Sequence, residues 1–182
     1  MDAIPIIRPL HQHRAWVNKN LLETETLLRE EQLQTSYPIG QGAIWKSLVH
    51  LYAAEDVWLE ALLGNEDPLV QGDLPGKLPG NQQGDGRIEF LDELRTLWAA
   101  LEQQWSDYVK NLNPDSLYDV VYKKSTTTLV GNRFGTRRSD ILLNVCTHAQ
   151  YTTAQIVNMM RQCGVEKLPR TMLILPARQQ AS

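Results

Sequence analysis

Two histidines, His50 and His148, fall on separate segments with helical periodicity, at positions where a helix turns toward its neighbours. Imidazole is the commonest side-chain ligand for transition metals and also carries protons near neutral pH. Around His148 the apolar stripe begins at Ile141 and Val145 and resumes at Met159 and Cys163, but steps of three and four between them land on His148, Thr152 and Gln155. Asn144 lies one turn before His148 on the same line. An interior polar group without a partner costs on the order of 1–3 kcal/mol, so several on one face point to a site or a wet channel. His50 stands on a stripe of mostly small residues, Ala43, Ser47, Ala54, Val57 and Ala61, which lets a second helix or a ligand come close. Two imidazoles directed at a common axis from two helices have the geometry of a bundle-core metal site. The same residues also suit a network of hydrogen-bonded core histidines and ordered waters.

Other reactive residue types are less organised. His11 and His13 are two positions apart, so on a helix they face different directions and are expected at the surface. GQGAIWKS lacks the Gly-Lys-Ser/Thr ending of a phosphate loop, and neither a CxxC nor an HExxH motif occurs. The acidic residues spread over helix faces without a clear carboxylate dyad, and Arg137-Arg138 is expected to be a solvated edge.

Four helices must position these side chains. The first is expected over about Leu10 to Leu33, with Pro5 and Pro9 limiting its start and Pro38, Gly40 and Gly42 ending it. The second spans about Ala43 to Leu63, with Ile44, Leu48, Leu51, Glu55, Trp58 and Leu62 on one stripe and Gly64 as the end signal. Residues 64–87 hold six of the 11 glycines and three of the nine prolines, too many for any helix. A connection this long is a crossover, a lid or a linker, and the complete helices on either side favour a crossover within one bundle. The third helix covers about Ile88 to Leu112, with Phe90, Leu94, Leu97, Leu101, Trp105, Tyr108 and Leu112 as its seam. Residues 117–136 change to a shorter period, with Val120, Val121, Tyr122, Thr126-Thr127-Thr128, Leu129 and Val130 broken by Gly131-Asn132 and Gly135, and predict a small hairpin. Ser139 and Asp140 open the last helix, which stops at Cys163-Gly164, and the apolar run Met172-Leu173-Ile174-Leu175 is expected to pack on the bundle. The fold class is therefore all-α, a four-helix bundle with a long crossover between helices 2 and 3 and a small β-hairpin before helix 4, in a single domain over 1–182. The five tryptophans all fall in helices, as core residues do.

Composition narrows the partners. Lys and Arg number 18 against 21 Asp and Glu, for a formal net charge of -3, which argues against a nucleic-acid binder. No apolar run approaches the ~20 residues of a membrane span, and residues 1–14 lack the pattern of a secretory signal. Cys146 and Cys163 sit in one predicted helix about 25 Å apart along its axis, too far to bond. A cytoplasmic protein with reduced thiols and a small-molecule substrate or ligand is expected.

In order and spacing these segments resemble the DinB/YfiT-like family. Trp16-Val17-Asn18-Lys19-Asn20-Leu21-Leu22 is similar to the family's W-A-N-x-x-L-L opening, and SLVHLYAAEDVWLEALLG to its L-x-H-x-x-x-A-E-x-x-W-L pattern with a glycine end. NVCTHAQYTTAQIVNMMRQCG is similar to H-x-x-x-H-R-G-Q-I and the Arg-Gln-x-Gly that follows. The resemblance implies a four-helix bundle, often a homodimer, in which three histidines hold a divalent metal, commonly zinc or nickel, and which acts as a thiol transferase or hydrolase. Carried over, His50 and His148 match two ligands. The third position is Thr152, and Thr152-Thr153-Ala154-Gln155 stands where the family has His-Arg-Gly-Gln. A threonine hydroxyl is a poor zinc ligand, and Glu55, five residues from His50, is rotated about 140° away. Two expectations follow: a metal-dependent enzyme with an incomplete histidine site, with Thr152 orienting the reactive water and Gln155 hydrogen-bonding beside it, or a metal-free bundle acting as a small-molecule-binding or stress-associated module.

Overall fold

A helix that is apolar on nearly every side needs neighbours on every side. α3 (Ile44–Leu62) is such a helix, and in the computed structural model, which describes residues 3–127 and 129–180, most of its length is buried. Met1, Asp2, Thr128, Ala181 and Ser182, which the domain and hairpin expectations include, lie outside the described residues. The other long helices are α1 (Ile4–Glu25), α4 (Leu91–Lys110) and α5 (Arg138–Gln162), and a short α2 (Glu30–Gln34) leads into α3. Around the bundle the contacts run α1 to α5, α5 to α3, α3 to α4 and α4 back to α1.

Cross-helix contacts give the directions. Arg8 Nε donates to the Val109 carbonyl at 3.2 Å, so α1 starts where α4 ends. His11 meets the Leu142 carbonyl at 3.1 Å near the start of α5, so α1 and α5 run together. His50 against His148, and Gly40 against Gln155, make α3 antiparallel to α5. α3 and α4 are consequently parallel, and the chain leaving Leu62 must return the length of a 19-residue helix, about 28 Å, before α4 begins. That is why the connection is long, and it runs as the expected crossover.

The hairpin pairs β1 (Val120–Lys124) with β2 (Arg133–Arg137), and β2 passes directly into α5. Gly135 lies opposite Tyr122, where a Cβ would stand 2.9 Å from its ring and 2.8 Å from Val120. Arg138 departs from the expected solvated edge: it is half-buried and donates to the Tyr108 hydroxyl and, at 3.0 Å, to the Ser116 carbonyl, whereas Arg137 is exposed.

Three boundaries depart from the sequence expectation for local physical reasons. α1 begins at Ile4 instead of near Leu10, because Pro5 sits in the first turn, where no N–H is needed, and Pro9 forgoes only the bond to the Pro5 carbonyl. It ends at Glu25, where the Thr26 hydroxyl takes the Glu23 carbonyl at 2.7 Å, and α2 is a separate turn. The tail does not lay its apolar run on the bundle: Met172, Leu173 and Ile174 are exposed, and α6 (Ile174–Gln180) follows. Upstream, Val165 and Leu168 pack against the core, and Asn20 Nδ2 to the Arg170 carbonyl and His13 to the Thr171 carbonyl add polar ties. Among the described residues no helix is long and apolar enough to cross a membrane, and Cys146 and Cys163 are free thiols.

Candidate metal centre

α3 and α5 carry His50 and His148 to a common point in the bundle. The two ring centroids are 5.2 Å apart with planes 80° to each other. The flanking small residues Ser47, Ala54, Val57 and Ala61 are all buried, as are Ala149 and Thr152 on α5. His50 is 8% exposed, and its Nδ1 lies 2.8 Å from the Pro79 carbonyl of the crossover. A carbonyl only accepts, so Nδ1 carries the proton and Nε2 keeps its lone pair. His148 is half-buried, with Nε2 3.5 Å from the Thr152 hydroxyl.

Both imidazoles are neutral at pH 7. Burial lowers His50, opposed by the Pro79 carbonyl and by the charge of Asp73. Burial, and then the neighbouring His50, lowers His148 to about 4. Neutral imidazole is the form that binds metal, and two of them suit a borderline cation such as zinc or nickel in kind. In number they fall short of a three-histidine set. Thr152 supplies a hydroxyl at the third position, and among the described residues no three His, Cys, Asp or Glu side chains gather as a metal site. What the structure brings together here is two neutral imidazoles and one hydroxyl, donors of the right kind for such a cation but one imidazole short of that set.

The remaining expected site residues divide. Thr152 is 2% exposed and adjoins His148. Gln155 is half-buried, and its amide oxygen packs on the loop before α3, 2.5 Å from where a Cβ on Gly40 would stand. Asn144 is exposed, because the interior stripe has rotated toward solvent one turn before His148. His11 and His13 correct the surface expectation. Facing different directions, they meet two different coverings: His11, 4% exposed, packs on Trp105 under α5, and His13, 7% exposed, lies beneath the tail at Thr171.

The chain and its fold have relatives. The sequence profile of the DinB family matches residues 8–180. The chain belongs to the DinB family. Its fold is similar to that of YfiT from Bacillus subtilis, described as a probable metal-dependent hydrolase with an unusual four-helix bundle topology, at a TM-score of 0.62 and 16% identity over 85% of this chain and 86% of that one. No curated protein matches the chain at a significant level.

Within this DinB bundle a second polar centre lies among α1, α3 and α4. Arg14 donates to Glu55 and, at 2.9 and 2.7 Å, to both oxygens of Glu102. Asn18 donates to both carboxylates, and Trp98 Nε1 reaches Glu55 at 3.2 Å. This overturns the expectation that the carboxylates are scattered. The signal was present in Glu55 on the stripe of Leu48 and Leu51, and in Arg14 and Asn18 four apart on the stripe of Val17 and Leu21. Burial and the adjacent Glu102 hold the Glu55 carboxyl above its usual range, against the pull of Arg14. A cleft of about 630 Å3 between the crossover and Trp45, Lys46 and Val49 of α3 is lined by Pro79 and Gly80 but by neither histidine.

Proposed function

We propose that this DinB protein is a metal-dependent enzyme in which His50 and His148 hold a zinc or nickel ion and a small-molecule substrate completes the shell. The observation that carries this reading is the pair itself: two neutral imidazoles from different helices, 5.2 Å apart, in a chain whose fold is similar to that of a protein described as a probable metal-dependent hydrolase. The chemistry such a cation supplies when bound is activation of a water or a thiol as a nucleophile near neutral pH, which serves either hydrolysis or thiol transfer. The protein's own part is to hold both rings neutral, to keep the Nε2 lone pair of His50 available, and to place the Thr152 hydroxyl beside His148. Gln155, three residues and just under one helical turn beyond Thr152, is assigned to hydrogen-bond beside the site. Homodimerisation and a reducing cytoplasm, where both thiols persist, belong to the same reading.

Metal content by plasma mass spectrometry, with His50→Ala and His148→Ala purified in parallel, tests it. Near one equivalent in the wild type, lost in either variant, is the expected result, and hydrolysis and thiol-transfer assays follow. That no three His, Cys, Asp or Glu gather among the described residues favours a second reading, a metal-free bundle whose polar interior binds a small molecule. Sub-stoichiometric metal in all three proteins after zinc and nickel are supplied selects that reading.

A further inference from the structure

The crossover does more than return the chain to α4; it reaches the site through its backbone. Gly80 lies so close to α3 that a Cβ there would stand 2.6 Å from His50 Cα and 2.8 Å from its nitrogen. Its φ of 80° is one that side chains resist, so a glycine is needed on both counts. The preceding residue, Pro79, presents the carbonyl that receives the His50 proton. What fixes this approach is Asp73, a buried carboxylate, 7% exposed, some way upstream in the same connection. Its Oδ2 accepts from the Gly80 N–H at 2.7 Å, and its Oδ1 accepts from the Gln82 N–H and the Gln82 side-chain amide, both at 2.9 Å. Gln82 extends the tie. Its amide nitrogen also donates to the Gln71 carbonyl at 2.9 Å, and its amide oxygen accepts from Ile88 N–H at 2.6 Å. Gln82 has φ 49°, an uncommon conformation for a residue with a side chain, held by these bonds.

We propose that Asp73 is a positioning residue for His50: by folding residues 73–82 around its carboxylate it sets the Pro79 carbonyl on Nδ1 and so holds the imidazole in the tautomer whose Nε2 lone pair is free. A ring whose Nδ1–H is committed to a fixed carbonyl has one orientation and one tautomer, the arrangement that supports a metal-ligating histidine. Without the tie, Val70 and Ile88 still anchor the crossover in the core and Asn81 still bonds Leu74 and Leu78, but the Gly80 N–H loses its acceptor, the Pro79 carbonyl is free to shift, and the ring can reverse its tautomer or turn. The consequence for metal affinity rests on the functional reading above; the effect on the tautomer does not.

The test is nitrogen NMR of histidine-labelled protein, which reads the tautomer of each ring directly, together with zinc affinity by competition with a chelator. The wild type is expected to show His50 protonated at Nδ1, and finding Nε2–H there overturns the proposal at once. Asp73→Asn replaces one acceptor oxygen by an amide that cannot accept. It is expected to shift His50 to a mixture of tautomers, leave the His13 signal unchanged, and weaken zinc binding about tenfold or more. Gln82→Gly removes the side-chain bonds to Asp73, to the Gln71 carbonyl and from Ile88 N–H, keeps its backbone bond to Asp73 and suits the positive φ; it is the second variant, and a smaller shift in the same direction is expected. Folded variants that keep the wild-type tautomer overturn the proposal, whatever their zinc affinity. A tautomer shift in protein that binds no zinc upholds the positioning role and removes the metal reading instead.

Discussion

Arg14 and Glu55 form an ion pair across α1 and α3 at the centre of the bundle, each with a side chain 1% exposed. Glu102 completes it from α4, with 21% of its side chain exposed, so three helices meet at one guanidinium. Removing one member of a buried pair leaves the other charge desolvated, which costs about 3–5 kcal/mol. Arg14→Met is therefore expected to lower the free energy of unfolding by that amount in urea titrations. Replacing Glu55 by Gln in the same chain is expected to recover part of the loss, since the Asn18 and Trp98 donors still have an oxygen to meet. Equal stability of Arg14→Met and wild type would show that the pair contributes nothing beyond its volume.

Glu25 has no such partner. It is fully buried near the end of α1, and neither carboxyl oxygen has a hydrogen bond within the described protein. Burial raises its carboxyl from 4.5 to about 8. The folded chain then keeps a proton that the unfolded chain releases. The contribution of Glu25 to stability is full below about pH 4.5 and falls as pH rises toward about 8, by up to about 1.4 kcal/mol per pH unit. Glu25→Gln is expected to flatten that slope and to be the more stable protein at about pH 8. Chemical denaturation of both proteins across this range is the measurement, and parallel slopes would clear Glu25 of the effect.

His11 acts in the opposite direction. Burial first, and then the charge of Arg14, lowers its imidazole from 6.5 to about 3, against the Leu142 carbonyl. The unfolded chain binds this proton and the folded chain refuses it. Stability present above about pH 6.5 is lost as pH falls toward about 3. His11→Phe keeps a ring against Trp105 and removes the titration, so its midpoint of acid unfolding is expected at lower pH than the wild type's. A midpoint that does not move would place the acid sensitivity elsewhere, with His148 next in line.

Helical periodicity made the bundle legible, because α3, α4 and α5 each bury a stripe the sequence displays at steps of three and four. The hairpin was legible from the change of period at Val120. What stayed hidden were groups whose partners lie far along the chain. Nothing local to His13 announces that residues 170–171 will cover it, and nothing local to Asp73 announces that its carboxylate folds the crossover onto His50. Asn144 shows the converse limit. A stripe extrapolated by fours drifts around the helix, and one turn before His148 it has already reached solvent. The Arg14–Glu55 pair was missed because each charge, taken alone on its own helix, looks like an exception in an apolar stripe, and only the packing of α1 against α3 and α4 makes them one feature.

Thr152 bears most directly on the chemistry. It is one helical turn beyond His148, 2% exposed, and its hydroxyl stands 3.5 Å from the ring. If this is the third ligand position with its imidazole missing, restoring the imidazole should restore the affinity. Thr152→His is expected to tighten zinc binding at least about tenfold, or ~1.4 kcal/mol, by adding a nitrogen donor to the two already there. The larger side chain also overpacks the α3–α5 seam, at a cost of about 1–3 kcal/mol in the metal-free protein. Metal should then stabilise the variant more than the wild type, so thermal melts with and without zinc separate the two effects. A variant that folds, has three histidines at this seam and gains no zinc affinity would show that the rings of His50 and His148 do not point at a shared ion, and would leave their neutrality as a property of the core.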